Sequence, residues 1–570
     1  MLIFKIMINK NLISAVAGCL FLALFGGCKD EYLEKIPFNP SSVSFYSNQE
    51  ELQIGLLGCY SQLNYQEQNY GLGNLRVPWH IFIDATTDIC WDRTNGALQD
   101  IGKGTIDANN GVVLVKFREA YKGIARCNFL LDNVVKLKDK IPSTVYNQSI
   151  AEARFIRALN YSYLLTLYGG VPLVTTTLTI NDSQIAKSTK AEIADFVINE
   201  MDAAAKDLPL NQAIINDGRA TKGAALAIKA RTALYNEKWD VAAQAAKQVM
   251  DLNKYALHAN YGELFKYSGE TSKEIIFSLQ YAKNVNTHTT PRYFLPRLPG
   301  GVCDKVPFQS FIDSYECTDG LSIDSSPLYN PQKPFANRDP RLSYTCGVPG
   351  DRLFGYQFET HKDSLQIWNY NVTPAVRIAN TEATHAFATF TGYVFRKYCD
   401  ETDRTDLQNS EINIILMRYA EVLLTYAEAK IELDQIDQSV YDAINLVRRR
   451  ATVNMPAITA NKTQAQLRSI VRKERKYEFA MEGLRLADIR RWKIAEQVLV
   501  GPAYGRIPKG LLANAPIIDA NGSPNYSNVT NRADMRIIET KVFNKNRDYL
   551  WPFPAIEVQT NKKLVQNPNY

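Results

Sequence analysis

Histidine is scarce in this chain: five in 570 residues, at 80, 258, 288, 361 and 385, with no two at a metal-ligand spacing. No local metal site is therefore written into the sequence. No Gly-x-Ser-x-Gly elbow occurs, no cysteine carries a nucleophile pattern around it, and no phosphate-binding glycine loop is present. Charge of one sign is lacking too. Sixty-five Lys and Arg against 59 Asp and Glu leave +6, too thin over this length to mark a nucleic-acid binder. The triplet Arg448-Arg449-Arg450 and the helix around Arg468, Arg472, Arg475 and Lys476 are the densest basic runs. The latter alternates with Glu474, Glu478 and Glu482, which predicts ion pairs along one solvated helix face. No apolar run reaches the ~20 residues that span a bilayer. The composition is 46% hydrophobic and 22% charged, and the chain is long enough for a large or two-part globular unit. Acidic residues are abundant, so folding could still assemble a glycosidase pair, and hydrolysis stays as an alternative.

The amino terminus reads as a leader. Lys5 and Lys10 precede an apolar run from Leu12 to Phe25, and Gly26-Gly27-Cys28 follow. Small residues before a cysteine resemble a bacterial lipobox, in which the thiol is acylated and becomes the new terminus. Cys19, after Val16-Ala17-Gly18, matches the box well, but cleavage there would leave FLALFGG on the mature chain. Cys28 keeps the apolar run whole and is followed by polar KDEYLEKIP. Residues 1–27 are therefore taken as the signal and Cys28 as the lipidation site, with Cys19 as the alternative and Met7 as a second candidate start. An unlipidated secretory signal is the remaining reading. Acyl chains at this site would anchor the protein to a membrane. Outside the leader, seven cysteines remain, at 59, 90, 127, 303, 317, 346 and 399. An exported chain permits disulfides, with Cys303 and Cys317 the closest pair; buried free thiols are the equal alternative.

Helical periodicity runs through residues 48–64, 112–137, 144–168 and 189–206, the last with Thr189 and Glu192 at capping-box spacing. Residues 221–251 read as two Ala-rich helices joined at Asn236-Glu237-Lys238, and resemble a tetratricopeptide repeat. From 255 to 410 the period fades, proline is frequent, and Ile275–Leu279 and Gly392–Tyr398 look like short strands. Helices return at 412–433, 437–451, 463–482 and 484–498. The predicted fold is mainly α: tetratricopeptide-like hairpins from residues 28–254 and 411–570 packed as one unit, with an irregular, loop-rich insertion at 255–410.

Particular spellings recur along this frame. RFIRALNYSYL runs into LYGGVPL by residue 173. PFQSFIDSYECTDG (307–320), PFANRDPRL (334–342), RYAEVLLTYAEA, AINLVRRRA, IVRKERKYEFAMEGLRLADIRRW and YLWPFPAIE…NPNY follow in order. Together they resemble the SusD/RagB family of surface glycan-binding lipoproteins over nearly the whole mature chain. The resemblance implies an outer-membrane, lipid-anchored, outward-facing protein; no cofactor is expected. It also implies a partner, a TonB-dependent transporter of the SusC type, to which a captured oligosaccharide is delivered without any bond being broken. Lys29-Asp30-Glu31 resembles the acidic surface-export signal of such lipoproteins. The alternatives are a surface glycoside hydrolase and a protein-binding scaffold, and a peptide could replace the glycan.

A pyranose offers an apolar C–H face and a hydroxyl rim, which suit flat aromatic rings and Asn, Asp or Arg respectively. Such residues outside helical core stripes stand in three stretches. They are Trp79, His80, Trp91, Asp92 and Arg93 (with Asp84 and Asp88 between); Arg292 and Tyr293; and Trp368, Asn369 and Tyr370. The resemblance singles out Trp91, because family members place a ligand-facing aromatic after this first irregular stretch. Trp551, inside LWPFP, is expected to be structural. The loops, then, are expected to read the ligand while the spelled signatures build the support.

Overall fold

The computed structural model describes residues 45–66, 76–211 and 217–570. The leader, with Cys19 and Cys28, lies outside the described residues. The longer helices are α1 (Gln49–Ser61), α2 (Gly111–Asn133), α3 (Ser143–Tyr168), α4 (Lys190–Asp207), α5 (Lys222–Tyr235), α6 (Trp239–Asp251), α7 (Tyr419–Glu432), α8 (Gln438–Arg448), α9 (Gln464–Glu478) and α10 (Arg485–Arg491). None among the described residues is long and apolar enough to cross a membrane. Each of α2 to α8 packs on the next, so α6 meets α7 although residues 252–418 separate them in the chain. The helices form one stacked layer drawn from both ends of the protein. Small side chains permit the close approach: Ala230, Ala242, Ala245 and Ala246 are all buried. The Thr189 hydroxyl accepts from the Glu192 N–H at 3.2 Å while Glu192 reaches back to the Thr189 N–H at 2.7 Å, closing the capping box.

Helix α3 ends because Gly169 turns to φ +75°, a value L side chains seldom adopt. Gly170 must also lack a side chain, since a Cβ there would meet the Ser188 carbonyl oxygen at 2.1 Å. The exit strand is pinned by Tyr161, whose hydroxyl accepts from the Val174 N–H at 2.7 Å. Tyr168 stacks on Phe553 at 5.9 Å, and the Trp551 backbone N–H donates to the Leu167 carbonyl at 2.7 Å. Asn567 then donates to the carbonyls of both Tyr168 and Trp551, at 2.9 and 2.8 Å. LYGGVPL, LWPFP and NPNY are thus three pieces of one packing site.

Between α6 and α7 no helix exceeds the six residues of Gln309–Ser314. Short strands replace them: β1 (Cys90–Asp92, from before the layer), β2 (Ile275–Leu279), β3 (Lys305–Pro307), β4 (Cys346–Gly347), β5 (Arg352–Leu353), β6 (Tyr356–Gln357), β7 (Gln366–Asn369), β8 (Val376–Ala379), β9 (Val394–Phe395) and β10 (Ile414–Arg418). Strands β5 to β8 form one four-stranded sheet; β1 pairs with β3, β4 with β9, and β2 with β10. Three sequence expectations need correction, and one left open is decided. Residues 412–433 are not one helix: IILMR is strand β10, buried throughout, and α7 begins only at Tyr419. A short unbroken apolar run cannot be told from a buried helix segment by period, and pairing with β2 decides it here. The 484–498 helix breaks in two around Lys493, which adopts φ +56°. Gly392–Tyr398 keeps only Val394–Phe395 as strand. All seven described cysteines are buried and unpaired, so Cys303 and Cys317 are not joined.

The largest correction concerns charge. Glu474 and Glu478 do not pair along the face of α9. They point inward, to four arginines from three separate segments. Arg341 reaches both, Arg448 bonds Glu474 at 2.7 Å, and Arg418 and Arg450 bond Glu478 at 2.7 and 2.6 Å. Glu274, preceding β2, joins Arg418 and Arg450, and Asp339 pairs with Arg341 at 2.7 Å. Burial alone would raise the Glu478 carboxyl, yet Arg450, Arg418 and Arg341 outweigh it and hold it far below the ordinary carboxylate range. Arg338 ties loop backbone together, donating to the carbonyls of Pro334, Ile312 and Tyr315. The network bolts the insertion to the C-terminal helices.

Candidate functional site

Two of the three predicted stretches meet. Strand β1 lies antiparallel to β3 with Trp91 opposite Val306. Beyond the ladder, the Arg93 N–H donates to the Asp304 carbonyl at 2.9 Å, and the Asp304 N–H donates to the Tyr293 carbonyl at 2.8 Å. One extended segment therefore holds Arg93 beside Arg292 and Tyr293, both half-buried. Asp92 is scaffold. It pairs with the equally buried Lys305 at 2.7 Å, and its other oxygen accepts from the N–H groups of Thr94 and Asn95.

Trp91 belongs to a small core apart from the main one, with Val306, Phe308, Leu353 and Val394. It is 8% exposed and packs against Phe390 with ring centres 5.6 Å apart. Its indole N–H has no hydrogen-bond partner among the described residues. The Arg93 guanidinium lies over the rings of Phe387 and Phe390, at 5.5 and 5.9 Å, and donates to the Phe387 carbonyl at 3.0 Å. Arg536 covers Phe390 at 4.3 Å. Phe387 itself is 58% exposed, with the His385 ring 5.9 Å away. The result is a shelf of two rings: open Phe387 under Arg93, and Phe390 between Arg93, Arg536 and Trp91.

The shelf is held rigid from beneath. Asn380 caps the turn at Thr381–Thr384, and buried Glu382 accepts from the N–H groups of Arg297 and Thr389 at 2.6 and 3.0 Å. Lys362 donates to the carbonyls of Glu382 and Ala383 at 3.1 Å. Burial, then Arg536, pulls its amine pKa down. Phe387, Phe390, His385 and Arg536 were missed as ligand candidates. HAFATF (385–390) carries the signal that marked 79–93, aromatic residues in a run without period; Arg536 carries none.

Trp79 and His80 do not join the shelf. Trp79 is 4% exposed and packs edge-on against Phe82 and Trp551, with the Lys116 amine 4.4 Å over its ring. His80 Nε2 lies 2.8 Å from the Tyr163 hydroxyl; burial, then Lys116, holds its pKa well below the ordinary value. Both are core residues, because the stretch folds inward as a short helix at Trp79–Phe82. Asp88 is likewise structural, gripped by Arg485 through two contacts of 2.8 Å.

The third stretch stands on its own surface. Trp368 and Tyr370 project from the outer face of the β5–β8 sheet, 39% and 37% exposed, while Ile367 and Leu353 face inward. Arg377 lies over Trp368 at 5.2 Å and Arg352 over Tyr370 at 4.9 Å. Asn369 is half-buried and accepts the Asn371 N–H at 2.9 Å.

The SusD family model matches residues 273–570. The chain belongs to the SusD family. A second family model, described as starch-binding associating with outer membrane, matches residues 31–234. Among solved structures, the protein is similar to a SusD-like carbohydrate-binding protein of Bacteroides fragilis. Identity is 32% and TM-score 0.78, with 91% of this chain and 100% of that chain covered. A laminarin-binding SusD-like protein shares the fold at 20% identity and TM-score 0.66, covering 92% and 100% of the two chains. The SusD-like protein P25 of Formosa agariphila is 24% identical over 512 residues, 83% of this chain and 89% of that protein. The mainly helical SusD fold, expected from the spelling, is the fold observed.

Proposed function

We propose that this SusD-family chain is a non-catalytic surface protein of the outer membrane, anchored through acylated Cys28. It captures an oligosaccharide on the Phe387 shelf and hands it to a SusC-like TonB-dependent transporter. The observation that carries the reading is the open Phe387 ring, with Arg93 against it and Arg536 over the neighbouring Phe390. An exposed ring accepts the C–H face of a sugar, and guanidinium donors at its edge meet the hydroxyl rim. The carbohydrate-binding relative from Bacteroides fragilis and the starch-binding family description support a glycan as the ligand. The carboxylates under the shelf support binding without hydrolysis: Asp92 is committed to Lys305 and Glu382 to backbone N–H groups, so neither faces a scissile bond.

A panel of oligosaccharides, tested for binding by calorimetry and for turnover by product analysis, checks the reading. Binding without product is expected, and release of shortened sugars would overturn it. Fractionation tests the anchor: Cys28→Ala protein made without its transporter is expected in the soluble fraction, and retention on the membrane would overturn the assignment.

A further inference from the structure

The turn between α5 and α6 faces the end of α10 across a cavity of about 270 Å³. Lys190, Arg490, Arg491 and Lys493 line it, against one acid, Glu237. Arg491 is neutralised, bonding Glu428 at 2.6 Å and Asp488 at 2.8 Å. Arg490 is not. It is 9% exposed, and its Nε and Nη1 donate to nothing among the described residues. The acid that most nearly serves it, Asp548, is already held by Arg547 at 2.6 Å and by the Asn544 N–H at 2.7 Å. A guanidinium removed from water with unmet donors is costly, so the arrangement calls for an acceptor from outside.

The opposite wall repeats the pattern. The Tyr235 hydroxyl and the Asn236 side-chain oxygen are also buried without a partner. Residues with unmet polar atoms thus line one space from two sides. Glu237 and Lys493 sit at φ +60° and +56°, left-handed values that non-glycine residues seldom hold, so strain marks both rims. Burial draws the Arg490 pKa down to about 10, with only Tyr570 and Asp548 opposing, and Lys190 is lowered by burial and by the nearby Lys493. The site has more positive charge than its own acids offset.

We propose that this cavity binds a sulfate or phosphate group, held by Arg490, Lys190 and Lys493. Asn236 and Tyr235 form the facing wall. The volume falls below the ~300–1,000 Å³ of larger ligand sites, so the occupant is small: the free ion or one sugar residue bearing the ester. The site is distinct from the Phe387 shelf and shares no residue with it.

Thermal melts of the full chain test this, with sodium sulfate, sodium phosphate, glucose 6-sulfate and glucose 6-phosphate, each against sodium chloride at matched ionic strength. Wild type is expected to gain about 1–2 °C over chloride, saturably. Arg490→Gln is expected to fold, since its guanidinium is unpaired, and to lose the gain. Lys493→Gln, at the exposed rim, is expected to reduce it and serves if the first variant fails to fold; Phe387→Ala leaves it intact. Esters acting at lower concentration than the free ions identify a sugar-borne group, and equal action identifies the ion itself; both support the site. No gain over chloride, or equal gains in wild type and the Arg490 and Lys493 variants, overturns it.

Discussion

Arg418 and Glu478 meet at 2.7 Å in full burial, joining the first residue before α7 to the last residue of α9. Arg450 bonds the same carboxylate oxygen at 2.6 Å, so one acid holds two arginines from different segments. Buried ions lose hydration, and only such mutual contacts offset the loss.

Glu478→Gln therefore leaves buried cations underpaired and is expected to cost about 3–5 kcal/mol at neutral pH. The sign with pH follows from its depressed carboxyl. Its contribution is fully present above the ordinary value of 4.5 and is lost as pH falls toward the lower folded value. Urea melts should show the widest gap between variant and wild type above pH 5, narrowing in acid. A gap that widens in acid would contradict the assignment.

Phe387 and Trp79 should separate binding from stability. Phe387→Ala removes an exposed ring and is expected to weaken the oligosaccharide by about 10–100-fold while leaving the melting temperature unchanged. Trp79→Ala empties a core position and is expected to cost about 3–5 kcal/mol of stability. Calorimetry and thermal melts on the pair decide; a Trp79 variant that melts normally and fails to bind would return that residue to the site.

Asp84 is buried and titrates upward, from 3.8 to about 7, because burial outweighs the N–H groups of Gly483 and Met481. The folded protein keeps a proton that the unfolded chain releases, so this contribution is complete below pH 3.8 and is lost as pH rises through about 7. Asp84→Asn, neutral throughout, is expected to gain about 2 kcal/mol on wild type between pH 5 and 8. Denaturant melts at the two pH values measure it, and a pH-independent difference would refute it.

Trp368 on β7 and Tyr370 just past its end lie two residues apart, about 7 Å along the chain. If long glycans span both surfaces, Trp368→Ala should weaken long oligosaccharides several-fold and leave trisaccharides unaffected. Affinity measured against chain length reads this directly. Equal losses at every length would place Trp368 at the primary site instead.

Local patterns were legible where neighbours in sequence are also partners. The Thr189–Glu192 cap and the Asn236–Lys238 turn both depend on residues a few positions apart. Partners far apart were not legible. Alternating charge on α9 looked like a solvated face, because spacing reveals which residues share a side and not what lies against it. Strand β10 looked like helix for the same reason: its partner β2 is more than a hundred residues earlier. The shelf was half legible. Trp91, Arg93 and Tyr293 stood out as aromatic and cationic residues outside helical stripes, but only folding adds Phe387 from one loop and Arg536 from another.

Because β2 and β10 pair, the chain departs from the helical layer and rejoins it at a single doorway. Lengthening what lies beyond that doorway changes no distance within the layer, and each doubling of a flexible loop costs only about 0.6 kcal/mol in closure entropy. Arg338 and Arg341 fasten the near part of the excursion to its neighbours, which leaves the outer turns around Trp368 and Phe387 free to be rewritten. One framework can thus be refitted for different sugars by exchanging surface turns alone.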